Sequence, residues 1–100
     1  MIARIWHGQT KIEDYKNYTE FLKSKAIPDY QKTTGLIKLT FLRNVKENVG
    51  HFILITFWES LEVIKKFAGE DVEKAKYYSE DKNFLLEFEE KVIHYEVFAE

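Results

Sequence analysis

The stretch His51 to Asp71, HFILITFWESLEVIKKFAGED, joins an apolar strand to a capped amphipathic helix with almost nothing between them. Phe52, Ile53, Leu54, Ile55, Phe57 and Trp58 make a short apolar run of the kind found in strands covered on both faces. Ser60 then stands where an N-cap is needed, and Glu59 and Glu62 suit the positive end of a helix dipole. Leu61, Ile64, Phe67 and Ala68 form the stripe that such a helix buries, and Gly69 is its expected stop. A chain of 100 residues has too few elements to cover both faces of this strand alone. The expected cover is a second copy of the same chain.

Working outward, Ile2 to His7 alternates as a first strand that Gly8 ends. Thr10 and Glu13 have capping-box spacing and start a helix at Lys11. Ile12, Tyr15, Tyr18, Leu22 and Ala26 recur at three- and four-residue intervals along it, and Pro28 ends it near Ala26. Leu36 to Arg43 alternates as a second strand, and the polar segment Asn44 to Gly50 reads as a loop longer than a tight turn. After the opening stretch, Asp71 and Ser79 are placed to cap short helical pieces, and Lys91 to Phe98 closes the chain as a fourth strand. No linker or repeat divides the sequence, so residues 1–100 read as one domain. The order β-α-β-β-α-β is that of a ferredoxin-like α+β sandwich with an antiparallel sheet ordered 4-1-3-2.

Composition narrows the function. The net charge of −2, with lysines and glutamates interspersed, offers no basic stripe for nucleic acid. No apolar stretch approaches the roughly eighteen residues needed to span a bilayer, and MIARIWHG lacks a secretory apolar run, so a soluble cytoplasmic protein is expected. Cysteine is absent, which removes thiolate nucleophiles and Cys-based metal sites. His7, His51 and His94 are far apart in sequence and outside any short metal-binding pair, so no metal is expected. Aromatic residues, at 16%, exceed what a small core needs, which points to an interface, a ligand cavity or both.

Sorting strand residues by parity gives two faces. Ala3, Ile5, His7, Ile37, Leu39, Phe41, Ile53, Ile55, Phe57, Ile93, Tyr95 and Val97 are almost entirely apolar and are assigned to the helix-covered side. The other face carries Arg4, Trp6, Trp58, His94, Glu96 and Phe98. It is too aromatic for water yet dotted with charges, Arg4 and Glu96 among them, and is assigned to the interface of a homodimer. On the first face His7 is the single ionisable nitrogen. Tyr15 or Tyr18, Phe41, Phe67 and Tyr95 are able to surround it. A neutral imidazole there is able to accept a proton from a phenolic ligand, although a lone His at a strand end is more often structural.

The opening IARIWHG, the central TFWES with FAGED at the end of its helix, the pair Tyr77 and Tyr78, and the closing HYEV at His94 to Val97 resemble the antibiotic biosynthesis monooxygenase family of small dimeric α+β barrels. The resemblance covers almost the whole chain. It implies a helix–sheet pocket in each subunit and, as one activity, cofactor-independent oxygenation of a small aromatic or quinone-like substrate with no metal or flavin. On that reading His7 is the catalytic base and Tyr15, Tyr18, Phe41, Phe67, Tyr77 and Tyr95 bind the substrate. A binding or stress-related barrel without catalysis is the alternative. The haem-degrading members of the family imply a third reading. They use an Asn on the first strand, a Trp on the helix after the third and a His ligand beyond it. Those places hold His7, Phe67 and Tyr77 here, which makes haem degradation the minority reading unless the Tyr77 phenolate serves as ligand.

Overall fold

The computed structural model describes residues 1–100. The chain forms β1 (Ile2–Lys11), α1 (Tyr15–Phe21), α2 (Ile27–Gln31), β2 (Leu36–Lys46), β3 (Val49–Trp58), α3 (Leu61–Ala68) and β4 (Ile93–Glu96). All neighbouring strands are antiparallel and the sheet order is β2-β3-β1-β4, so the fold is the expected ferredoxin-like α+β sandwich with the expected strand order. No helix is long and apolar enough to cross a membrane.

The first helix departs from its expected bounds at both ends. β1 continues through Gly8 to Lys11, and the Thr10 hydroxyl is buried without a partner instead of capping a helix. At the other end, helical backbone passes through Pro28 to Gln31. The device that permits this is a π-helical turn, Leu22–Ala26, in which the Ile27 amide reaches back five residues to the Leu22 carbonyl. Pro28 then stands in the first turn of α2, where its missing N–H costs nothing. The extra residue also keeps Tyr18, Leu22, Ala26 and Tyr30, each four apart, on one buried line.

β2 and β3 are joined by a two-residue turn, Glu47 and Asn48, both at positive φ, with Lys46 opposite Val49. The longer loop expected there is replaced by a tight hairpin. Near its start β2 carries a bulge between Leu36 and Lys38, which moves Leu39 and Phe41 opposite Thr56 and Leu54. The opening stretch behaves as its sequence dictates: the Val63 amide donates to Ser60 Oγ at 3.4 Å, and Gly69 closes α3 at φ 96°. Leu61 is exposed, so the buried stripe is Ile64 and Phe67. The segment expected to hold two short helices yields one 3₁₀ turn, Ser79–Asn83, and irregular chain. That chain covers the free edge of β1, with the Leu86 amide donating to the Gln9 carbonyl at 2.9 Å.

The helices cover the face opposite to the one assigned from parity. On β1 and β3 the buried side chains are Arg4, Trp6, Thr10, Phe52, Leu54, Thr56 and Trp58 on one side, whereas of Ala3, Ile5, His7, Ile53, Ile55 and Phe57 on the uncovered side only the small Ala3 is buried. On β4 the outward pair is Ile93 and Tyr95, at 57% and 53% exposure. The bulge in β2 explains why Leu39 and Phe41 nonetheless face the helices as expected. On the remaining strands Arg4 and Trp58 find partners inside, whereas Trp6 Nε1 and the Thr10 hydroxyl are buried without one. Arg4, 3% exposed, donates from Nη1 to the Val72 carbonyl at 2.6 Å and to His94 Nε2 at 3.0 Å, and from Nη2 to the Lys74 carbonyl at 3.1 Å. Trp58 Nε1 donates to Thr56 Oγ1 at 2.8 Å. Burying Trp6, Phe52 and Trp58 removes more apolar area from water than burying Ile5, Ile53 and Ile55 would.

Candidate ligand-binding cleft

Between the helical layer and the β2 edge of the sheet lies a cleft of about 410 Å³. The helical side supplies Thr19, Leu22, Lys23 and Ile27, and the strands supply Leu39, Phe41, Leu42, Arg43 and Phe52. Its walls are held by aromatic packing. Phe41 meets Tyr30 edge to face with ring centres 5.7 Å apart, and Phe52 meets Tyr18 in the same way at 4.9 Å and Tyr15 at a tilt at 5.4 Å. Arg43 stands at the rim. Its guanidinium lies 4.6 Å over the Tyr15 ring and donates to Thr19 Oγ1 at 2.8 Å, while Thr19 Oγ1 donates to the Tyr15 carbonyl at 2.8 Å. The volume and the apolar lining with a few polar groups are those of a small-molecule site.

The substrate-binding residues expected from sequence are dispersed. Phe41 lines this cleft, and Tyr15 and Tyr18 support it from behind. Tyr18 is buried and donates to Asp81 Oδ1 at 3.1 Å. Phe67 stacks on Tyr30 at 4.4 Å in the core beside Trp58. Tyr77 packs on Trp6 and Phe88 and donates to the Glu89 carbonyl at 2.5 Å. Tyr95 lies on the open face of the sheet. His7 is there too, with Nδ1 2.6 Å from Glu89 Oε2 and its ring stacked at 6.1 Å from His51. The cleft and His7 are thus on opposite faces of the sheet, and His7 can reach only a molecule bound on the open side.

Of the residues assigned to a dimer interface, Trp58 is buried against α3, Arg4 and Trp6 are buried against the irregular chain at Val72, Lys74 and Tyr77, and His94 points to the same side of the sheet. Arg4 pairs across the strands with His94, not with Glu96. Glu96 is exposed on the same side, and Phe98, at 95% exposure, lies beyond the end of β4.

Burial controls the titratable groups of the interior. It pushes the Tyr18, Tyr30 and Tyr78 phenols well above their ordinary range, with the Asp81 and Asp29 carboxylates adding to the effect, and pushes Tyr77 up to about 12. At neutral pH these residues are hydrogen-bond donors, not phenolates. Burial raises Asp81 and, with the neighbouring Arg4 charge second, lowers His94. Sequence reasoning missed Leu22, Ile27, Leu39, Phe52 and above all Arg43 as lining residues. The signal for Arg43 was its parity with Leu39 and Phe41, which carries the inward series of β2 one step further to the rim.

No protein-family model matches the chain. A comparison with curated proteins also finds no match. Among solved structures the chain is similar to a crystal structure of a mutant of MhuD with two manganese protoporphyrin IX bound per active site. The TM-score is 0.63 at 16% sequence identity, covering 100% of this chain and 97% of that one. At that identity the likeness shows the ferredoxin-like fold.

Proposed function

We propose that this protein is a homodimeric binding protein that takes a small, largely apolar ring-bearing molecule into the cleft between its helical layer and β2. The observation that carries the reading is the cleft itself, walled by Phe41, Phe52, Leu22, Ile27 and Leu39 and open at a polar rim. Phe41, held by Tyr30 and only partly buried, presents an aromatic wall that favours a flat apolar guest, with Phe52 buried behind it. The likeness to a porphyrin-binding structure supports a ring ligand in this fold.

The cleft favours binding over oxygenation. Cofactor-free oxygenation of a phenol or quinol requires a group that takes a proton from the substrate. The titratable side chains of the lining are Lys23 and Arg43, both cationic, and His7 is across the sheet. Haem fits poorly for a related reason. The lining holds no imidazole, thioether or phenol to serve as an axial ligand.

The second copy belongs on the open face. Ile93, Ile5 and Ile55 stand in one row across three strands, Tyr95, Ala3 and Phe57 in the next, and His7, Ile53 and Leu42 in a third. Polar residues lie at the margins, Lys38 at one end and Gln9, His51 and Asn44 at the other. An apolar centre with a polar rim is interface anatomy, and a second identical sheet packed face to face is the simplest cover for a two-layer sandwich.

Fluorescence anisotropy of anthracene methanol tests the cleft. The parent protein is expected to bind it, and Ile27→Trp, which fills the cleft from the helical side, is expected to weaken binding by at least about tenfold. Equal binding by a folded Ile27→Trp variant would place the ligand elsewhere.

A further inference from the structure

We infer that the ligand of the cleft carries a carboxylate, which Arg43 receives at the rim; the inference rests on the cleft being the binding site. The lining contributes two cations, Arg43 from β2 and Lys23 from the helical side, and no acidic residue. Neither cation is ion-paired, and Glu20, one turn before Lys23, makes no salt bridge with it. A guanidinium that only coated the surface would be free to swing into water. Arg43 is itself exposed, but its guanidinium carbon sits 4.6 Å from the centre of the Tyr15 ring and one N–H is tied to Thr19, whose hydroxyl is anchored on the Tyr15 carbonyl. Of the five N–H donors of an arginine, one is used in this way and the rest remain for a guest. A planar fork fixed beside an apolar cavity matches a carboxylate on an otherwise apolar molecule, the pairing in which arginine makes two parallel charge-assisted hydrogen bonds. Lys23, on the opposite wall, adds positive potential at the same mouth without requiring a particular geometry.

The chemical class is therefore an aromatic or similarly flat apolar acid, seated with its ring against Phe41 and its carboxylate at the rim. The test compares anthracene carboxylate with its neutral isostere anthracene carboxamide, by fluorescence anisotropy, on the parent chain and on Arg43→Gln. The carboxylate is expected to bind about tenfold more tightly than the amide, the usual scale of a charge-assisted pair, and Arg43→Gln to abolish that preference. Equal affinities for the two probes on the parent chain would overturn the inference and leave the cleft reading standing. A carboxylate preference that survives in Arg43→Gln and disappears in Lys23→Gln would overturn the role given to Arg43. Binding of neither probe would overturn the cleft reading and this inference together.

Discussion

Arg4 shows how a single residue decided which face of the sheet the helices cover. A buried guanidinium without a carboxylate partner is expensive unless neutral acceptors satisfy it, and here two carbonyls and one imidazole do so. Because an arginine can only donate, His94 must present an unprotonated Nε2, and burial together with the adjacent positive charge lowers its pKa accordingly. The consequence for stability has a definite sign. A histidine whose folded pKa lies below its unfolded value of about 6.5 contributes stability that is fully present above that value and is lost as pH falls through the folded pKa. Thermal unfolding midpoints are therefore expected to fall as pH drops below about 6.5. In His94→Gln, which keeps an acceptor for Arg4 and cannot take up the proton, the fall should be shallower. Asp81, raised by burial, works in the opposite direction in both proteins, so the difference between them isolates His94. Parallel curves would show that the Arg4–His94 contact does not govern the acid side of stability.

Among the elements, those specified by local chemistry were legible in the sequence and those specified by partners were not. α3 was announced by Ser60 at its start and Gly69 at its end, both of which act as their residue types predict. The π turn at Leu22–Ala26 had no such announcement: Pro28 correctly forbids an ordinary helical hydrogen bond, and the chain meets that prohibition with one wide turn instead of stopping. The hairpin between β2 and β3 was misread because its first turn residue is Glu47, a poor choice for positive φ, which hid a two-residue turn inside a polar segment. That choice leaves room for improvement. Replacing Glu47 by Asn, which tolerates the left-handed region, is expected to stabilise the fold by about 0.5–1 kcal/mol in urea denaturation, a fraction of the left-handed penalty for an ordinary side chain. A loss of stability would mean that Glu47 makes a compensating contact.

At the scale of the whole molecule, strand order and fold class were legible from the order of elements, whereas the direction in which each strand faces was not. Both parities of β1 and β3 are apolar, so the sequence left a near tie, and the charges on Arg4, His94 and Glu96 broke it in the wrong sense. The acceptors that admit Arg4 lie in irregular chain at Val72 and Lys74, which has no periodic signature. The cleft inherited the same difficulty. Its strand walls at Leu39 and Phe41 were on the expected face only because a bulge offset β2 from its neighbours. The open face that results, with Ile5, Ile53, Ile55, Phe57, Ile93 and Tyr95, is where a second copy is proposed to pack. At micromolar concentration the protein is expected to sediment as twice its 12.0 kDa chain, and Ile55→Lys, at the centre of that face, to sediment as a folded monomer. A parent protein sedimenting at the mass of one chain would remove the dimer. The division of the sheet into a ligand side and a partner side is tested most directly by amide chemical-shift mapping by NMR during titration with anthracene carboxylate. The largest shifts are expected at Thr19 to Lys23, Leu39 to Arg43 and Phe52, around the cleft. Shifts gathered instead at His7, His51, Ile55 and Tyr95 would contradict the account.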